Sequence, residues 1–168
     1  IALFSTSDTD LLSARGSGAD YVLANPARSA HAELAAVLEA CDLIVARVLG
    51  SPQLLCSGFE RFRATGKPMV VLGGEQAPDA ALMELSTVPM GVVADAHVYL
   101  AQGGPGNLGQ LHAFLSDTVM LTGVGFEAPV EQPLWGLLPR ELPAEASRPR
   151  IGILFYRAQY AAGNTAYV

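Results

Sequence analysis

The sequence predicts an α/β domain built on a parallel sheet, and three observations carry that prediction. Short uncharged apolar runs alternate about four times with segments of helical periodicity, the order that right-handed crossovers produce. The runs are apolar at consecutive rather than alternate positions, as in strands covered by helices on both faces. The clearest run, Pro68-Met69-Val70-Val71-Leu72, ends on paired glycines and then on Glu75, Gln76, Ala77, Pro78 and Asp79. In open α/β sheets ligands gather beyond the carboxyl ends of strands, where glycine lets the backbone come close, so this end is expected to be a ligand edge.

Taken in order, Ile1 to Ser5 reads as the first strand. Thr6 to Asp10 is rich in N-cap residues ahead of a short apolar turn at Leu11 and Leu12. Asp20 to Ala24 is a second strand closed by Asn25-Pro26, and Ser29 is expected to cap a helix bearing Leu34, Val37 and Leu38 at helical spacing. Asp42 to Gly50 is the third strand. Pro52 suits a helix first turn, Leu54, Leu55, Phe59 and Phe62 form one apolar side, and Gly66 stops it. After the central strand the pattern becomes helix upon helix from Asp79 to about Gly123. Breaks are expected at Ser86-Thr87-Val88-Pro89 and Gln102-Gly103-Gly104-Pro105-Gly106, and Leu111, Leu115 and Val119 share one face.

The expected domains are a first α/β domain over 1–123, a Pro-rich linker over 124–149 and the start of a second, truncated α/β domain over 150–168. The stretch from Gly125 to Pro149 holds five of the 11 prolines and reads as exposed, with Trp135 pinned on a surface. Arg150 to Tyr156 reads as a fresh buried strand. A chain that opens in mid-strand without Met and stops as a helix begins reads as a piece of something longer.

Composition narrows the function classes. Across 168 residues, 51% are hydrophobic and 15% charged, which suits a folded core and not extended disorder. Sixteen acidic against 10 basic residues give a net charge of −6, with no basic run, so no nucleic-acid surface is expected. Gly, Pro or charge interrupts every apolar segment well short of the roughly 20 residues a spanning helix needs. No charged-then-apolar leader is visible, and the expectation is a soluble cytoplasmic protein without a membrane partner. Cys41 and Cys56 are too few for a disulfide framework or metal cluster and are expected as buried thiols.

Candidate sites follow from position. Glu75 lies directly beyond the central strand, where it can serve as a pocket acid or base, or simply cap the next turn; Gln76 is beside it. Ser5, Thr6 and Ser7 occupy the matching edge of the first strand, but no Gly-x-Ser-x-Gly elbow makes one a nucleophile. Gly104-Pro105-Gly106-Asn107-Leu108-Gly109 matches G-x-G-x-x-G formally, yet the residues before it look helical, so a helix-helix break is the better reading. Tyr156 and Arg157 follow the last strand, and Gly163-Asn164-Thr165 suits helix capping or an anion held by free amides. His31 and His112 stand alone on helices, and no two histidines have chelating helical spacing. Asp95-Ala96-His97 opens like Asp-x-His-x-x-Gly, a cobalamin-gripping motif, but Leu100 stands at the Gly position. No Gly-x-x-x-x-Gly-Lys-Ser/Thr is present, so ATP hydrolysis is not expected here.

Five stretches in order carry a family resemblance: Phe4 to Arg15, Gly73 to Asp79, Leu85 to Pro89, Tyr99 to Gly104, and Tyr156 to Gln159 with Gly163 to Val168. Together they resemble the N-terminal region of the cobaltochelatase large subunit, a relative of the magnesium chelatase large subunit. The resemblance covers essentially the whole chain and implies a flavodoxin-like sheet with flanking helices. It implies that the full subunit binds hydrogenobyrinic acid a,c-diamide and inserts Co2+ on the aerobic route to cobalamin. ATP with Mg2+ would be consumed by two partner subunits carrying an AAA+ motor, in keeping with the missing phosphate loop. The family's tetrapyrrole cavity and metal-delivering His and Glu lie further along, so no catalytic or metal-binding residue carries over. Neither cobalt nor ATP is expected to bind this segment directly, which alone is not expected to be catalytic. Ser5, Thr6, Glu75, Gln76, Tyr156, Arg157, Asn164 and Thr165 are left as a substrate or partner edge. The alternatives are a magnesium chelatase large subunit acting on protoporphyrin IX, and a non-catalytic flavodoxin-like module that senses a small molecule.

Overall fold

Each strand of the sheet is an apolar run of the sequence. The computed structural model describes residues 1–50, 53–138 and 152–163, and of residues 53–58 the backbone alone. Strands β1 (Ala2–Ser5), β2 (Val22–Ala24), β3 (Ile44–Val48) and β4 (Met69–Gly73) pair in parallel in the order β2-β1-β3-β4. Phe4 lies opposite both Ala24 and Ala46, and Val45 opposite Val70. This is the flavodoxin-like order through its first four strands.

Helices cover both faces, which is why the strands are apolar at nearly every position, Arg47 in β3 and Ser5 at the end of β1 apart. Leu3, Leu43, Val45, Val70 and Leu72 bury against one layer, formed by α1 (Asp8–Gly16), α5 (Met90–Gln102) and α6 (Gly104–Thr118). That layer supplies Ala14, Val93, Tyr99, Leu111 and Leu115. Alternate strand residues Phe4, Ile44, Ala46, Val48 and Val71 face the other layer, built from α2 (His31–Glu39), α3 (Gln53–Ala64) and the single turn of α4 (Ala80–Met83). The Phe4 and Phe62 rings stack there at 4.7 Å.

Local chemistry sets the element ends. Ser7 caps α1 by accepting the Asp10 N–H at 3.4 Å, and Asp79 caps α4 through the Leu82 N–H at 3.1 Å. Ser29 is not the cap of α2, contrary to expectation. Its N–H is drawn into the turn closed by the Asn25 carbonyl, at 2.8 Å, and Ala30 takes the cap position without a side-chain bond. The break at Ser86-Thr87 has a second use. Ser86 Oγ accepts from the Val71 N–H at 2.9 Å and Thr87 Oγ1 from the Met69 N–H at 2.8 Å, so side chains satisfy the free edge of β4. Gly103 and Gly104, at φ of 70° and 87°, turn the chain from α5 into α6; the formal G-x-G-x-x-G follows a helix, not a strand.

Beyond α6 the chain is strapped back. Asn107 exchanges both amide bonds with Val130 at 2.8 Å, Tyr99 donates its hydroxyl to the Glu127 carbonyl at 2.5 Å, and Phe126 meets Phe114 edge-on at 5.0 Å. The short α7 (Arg157–Ala161) also returns to this layer, where its buried Ala161 accepts a hydrogen bond from Ser13 Oγ at 3.3 Å. The expected strand is not formed at residues 152–156. They pair with no strand among the described residues, and Ile153 and Leu154 are 64% and 100% exposed. An apolar strand needs neighbours to bury against, and this run lies against none of the four strands of the sheet.

Candidate functional site at the carboxyl edge of the sheet

The carboxyl ends of β1, β3 and β4 meet where α1 begins and α5 ends, and a charged knot joins them. Ser5, the last residue of β1, donates its hydroxyl to Asp10 Oδ2 at 2.7 Å. Arg47, in β3 opposite Ser5 and Leu72, donates from Nη1 to Asp10 Oδ1 at 2.7 Å and to the Leu100 carbonyl at 3.0 Å. Its Nη2 reaches the Gly74 carbonyl at 2.9 Å. One guanidinium thus ties together β3, the end of β4, the first turn of α1 and the last turn of α5.

The placement is electrostatically consistent. Asp10 sits at the positive end of α1, and Arg47 meets a carbonyl at the negative end of α5. Both side chains are buried, with Asp10 at 6% and Arg47 at 8% exposure, so each ion depends on the other for its lost hydration. Burial pushes the Asp10 carboxyl above its ordinary range, opposed by the Arg47 charge and the Ser5 hydrogen bond. Arg47 Nε is buried without a partner. Neither Asp10 nor Arg47 was singled out by sequence reading. The available signal was a lone charge inside the buried run from Leu43 to Val48, a position that tolerates an ion only when it is paired.

The sequence-derived residues surround this knot without forming one cluster. Ser5 is part of it. Thr6 turns to the neighbouring strand end, where its Oγ1 accepts the Leu49 N–H at 3.3 Å. Glu75 and Gln76 are exposed on the loop after β4. The Glu75 carbonyl accepts from His97 Nε2 at 3.2 Å, and Gln76 Nε2 donates to the Ala101 carbonyl at 2.9 Å, so the loop is stitched to α5. Gly74 presses against Leu49 so closely that a Cβ would stand 2.4 Å from its Cγ. Arg157 donates to the Pro133 carbonyl at 3.0 Å and to the Gln102 carbonyl at 3.3 Å, in the last turn of α5 beside the Ala101 carbonyl that Gln76 holds, and Tyr156 precedes it as an exposed side chain. Asn164 and Thr165 lie outside the described residues.

The remaining candidates are each held singly. His97 is buried on α5, within the helix and not in a strand-to-helix loop. His112 bonds the Asp20 carbonyl at 3.1 Å and meets the Tyr21 ring edge-on at 4.9 Å, and burial lowers its pKa. Burial likewise pushes the Cys41 thiol up, while the Cys56 side chain lies outside those described. Among the described residues no three His, Cys, Asp or Glu side chains gather to hold a metal, and no helix is long and apolar enough to cross a membrane. An open groove of about 450 Å³ lies at the opposite, amino end of the sheet, lined in part by Arg63, Lys67, Thr87 and Thr118. Lys67 is already engaged there by the Leu38 carbonyl at 2.6 Å.

Comparison with known proteins agrees along the chain. Residues 97–168 match the CobN/Magnesium Chelatase family model. The aerobic cobaltochelatase subunit CobN of Pseudomonas aeruginosa is 29% identical over 113 residues, covering 61% of this chain and 9% of that protein. The structure of the catalytic subunit of cobaltochelatase from Mycobacterium tuberculosis aligns with a TM-score of 0.87 and 49% identity, covering 99% of this chain and 14% of that one. The chain therefore spans a small part of the length of these relatives. The fold, the ordered motifs and these matches agree: the chain is CobN-like, similar to a segment of the CobN/magnesium chelatase proteins.

Proposed function

We propose that the chain works as the N-terminal part of the large, tetrapyrrole-binding subunit of an ATP-dependent cobaltochelatase, a cytoplasmic enzyme that inserts Co2+ into hydrogenobyrinic acid a,c-diamide during aerobic cobalamin synthesis. The observation that carries this reading is the alignment of nearly the whole fold, at 49% identity, with a cobaltochelatase catalytic subunit. Insertion needs a macrocycle to be held, distorted and deprotonated at two pyrrole nitrogens while a hydrated metal loses its waters. The buried acid here, Asp10, is occupied by Arg47 and Ser5, which supports a framing role in place of proton transfer. ATP hydrolysis is assigned to AAA+ motor subunits that dock on the assembled large subunit. A magnesium chelatase acting on protoporphyrin IX is the second reading, favoured by a family model whose description joins the two enzymes.

The test is an absorbance titration of the full-length parent subunit with hydrogenobyrinic acid a,c-diamide and with protoporphyrin IX, repeated after deletion of residues 1–168. Selective binding of the corrinoid acid is expected. Selective binding of protoporphyrin IX would transfer the assignment to magnesium chelation, and binding of neither would remove the chelatase reading.

A further inference from the structure

Among the described residues, the most exposed large apolar side chains include several in the two stretches on either side of residues 139–151. Val130, Leu134, Trp135, Leu137, Ile153, Leu154 and Tyr156 are between 63% and 100% exposed, with Trp135 at 89%. Two uncharged stretches carry most of them, Pro133-Leu134-Trp135-Gly136-Leu137-Leu138 and Gly152-Ile153-Leu154-Phe155-Tyr156. Arg157 brings the stretches together, bonding the Pro133 carbonyl at 3.0 Å from the residue next to Tyr156. The Gln132 N–H is held by Gln102 Oε1 at 2.8 Å, so the patch is anchored at the junction of α5 and α6.

Contiguous exposed apolar surface of this kind marks an interface, and an aromatic ring contributes a large area to it. Residues 152–156 join no strand among the described residues, in a run rich in strand-forming side chains. The occupant is indicated by the match to the cobaltochelatase catalytic subunit: the same fold, aligned over 99% of this chain, is there only 14% of a larger polypeptide. The family model spans 97–168 and so runs through both stretches.

We propose that Leu134 to Leu138 and Ile153 to Tyr156 form the seam on which the rest of the same large subunit docks, through apolar contacts and a sheet edge that takes residues 152–156 as a strand. The seam is intramolecular, and it joins this sheet unit to the body of the subunit. The inference rests on the reading of the chain as one part of a chelatase large subunit.

Hydroxyl-radical footprinting of the full-length parent subunit tests it, with the urea-unfolded subunit as the reference for full reactivity. Modification of Trp135, Leu154 and Tyr156 is expected to be several-fold slower than in urea, at every protein concentration and without any other subunit. Reactivity equal to the unfolded reference would overturn the seam. Protection that appears only when the motor subunits are added, or only as concentration rises, would overturn it in favour of a motor interface or a second copy. A Leu154→Lys variant gives an independent readout: Trp135 and Tyr156 should become several-fold more reactive while Tyr99, in the sheet unit's own core, stays protected. Unchanged protection of Trp135 in that variant would also count against the seam. Macrocycle binding does not enter these readouts, so failure of the corrinoid titration and failure of the seam are separable.

Discussion

The charged knot at the carboxyl edge and the apolar stretches around Trp135 invert the usual distribution of side chains in opposite ways. At the knot an ion pair is taken out of water, and much of the cost of doing so is offset within the chain, by Ser5, the Leu100 carbonyl and the Gly74 carbonyl. Around Trp135 apolar surface is left exposed, with no cover among the described residues. The difference separates what this unit needs for its own folding from what it offers to something else. A buried pair that joins two strands and two helices is a device for holding one arrangement of the sheet. An exposed tryptophan stabilises nothing here.

That contrast can be broken most severely at Arg47. Arg47→Met leaves Asp10 buried and unpaired and should destabilise the chain by about 3–5 kcal/mol in urea unfolding. Joining it to Asp10→Leu should restore most of the loss, because an apolar pair of similar volume needs no hydration. A double variant as unstable as the single one would show that the knot is a scaffold of backbone contacts more than an ion pair.

Ser5→Ala removes one hydrogen bond from the Asp10 carboxylate and should cost about 1–2 kcal/mol in the same measurement. Loss of that bond also raises the Asp10 carboxyl further, since the Ser5 hydroxyl favours its ionised form. Titration of Asp10 by carbon-13 NMR in the variant should therefore move upward, and a downward movement would remove Ser5 from the knot.

His112 sharpens the comparison on the opposite side of the same helical layer. Burial lowers its pKa in the folded chain below that of a free imidazole, so the stability it confers is present above the free value and is lost as pH falls through the folded pKa. Thermal melts between pH 7.5 and 5, as buffer conditions, should fall more steeply for the parent sequence than for His112→Gln. Parallel slopes would show that the ring does not pay a protonation cost on folding.

The smallest effect is expected at Trp135. Trp135→Ser should change the stability of this chain by no more than about 0.5 kcal/mol, because the ring is 89% exposed. A loss of several times that size would place Trp135 in this unit's own core and erase the contrast with Arg47.

Much of the fold was legible from local pattern. The four parallel strands are mainly apolar runs whose ends the glycines and N-cap residues mark, and residues of α6 such as Leu111 and Leu115 fall at core spacing. Ser29 was misread because capping residues are also turn residues, and the Asn25 carbonyl claimed its amide first. The expectation of a buried strand around Ile153 fails at residues 152–156, because apolar side chains make a strand only where neighbours pair with it and cover it. At the candidate edge, Ser5 was visible as a strand end, whereas its partner Arg47 lies 42 positions away and Asp10 looked like one more acidic cap residue.

What the sequence determined by itself was the alternation of strand and helix, the helix-covered character of the sheet and the family motifs, because these depend on side chains within a few positions of one another. Only the tertiary structure decided that Asp10, Arg47 and Ser5 form one knot, that Asn107 and Tyr99 strap the chain after α6, and that Arg157 bonds the Pro133 carbonyl. Those pairings join residues distant in the chain, and the physical reason is that desolvation acts on whatever the folded backbone brings together, regardless of its order along the polypeptide.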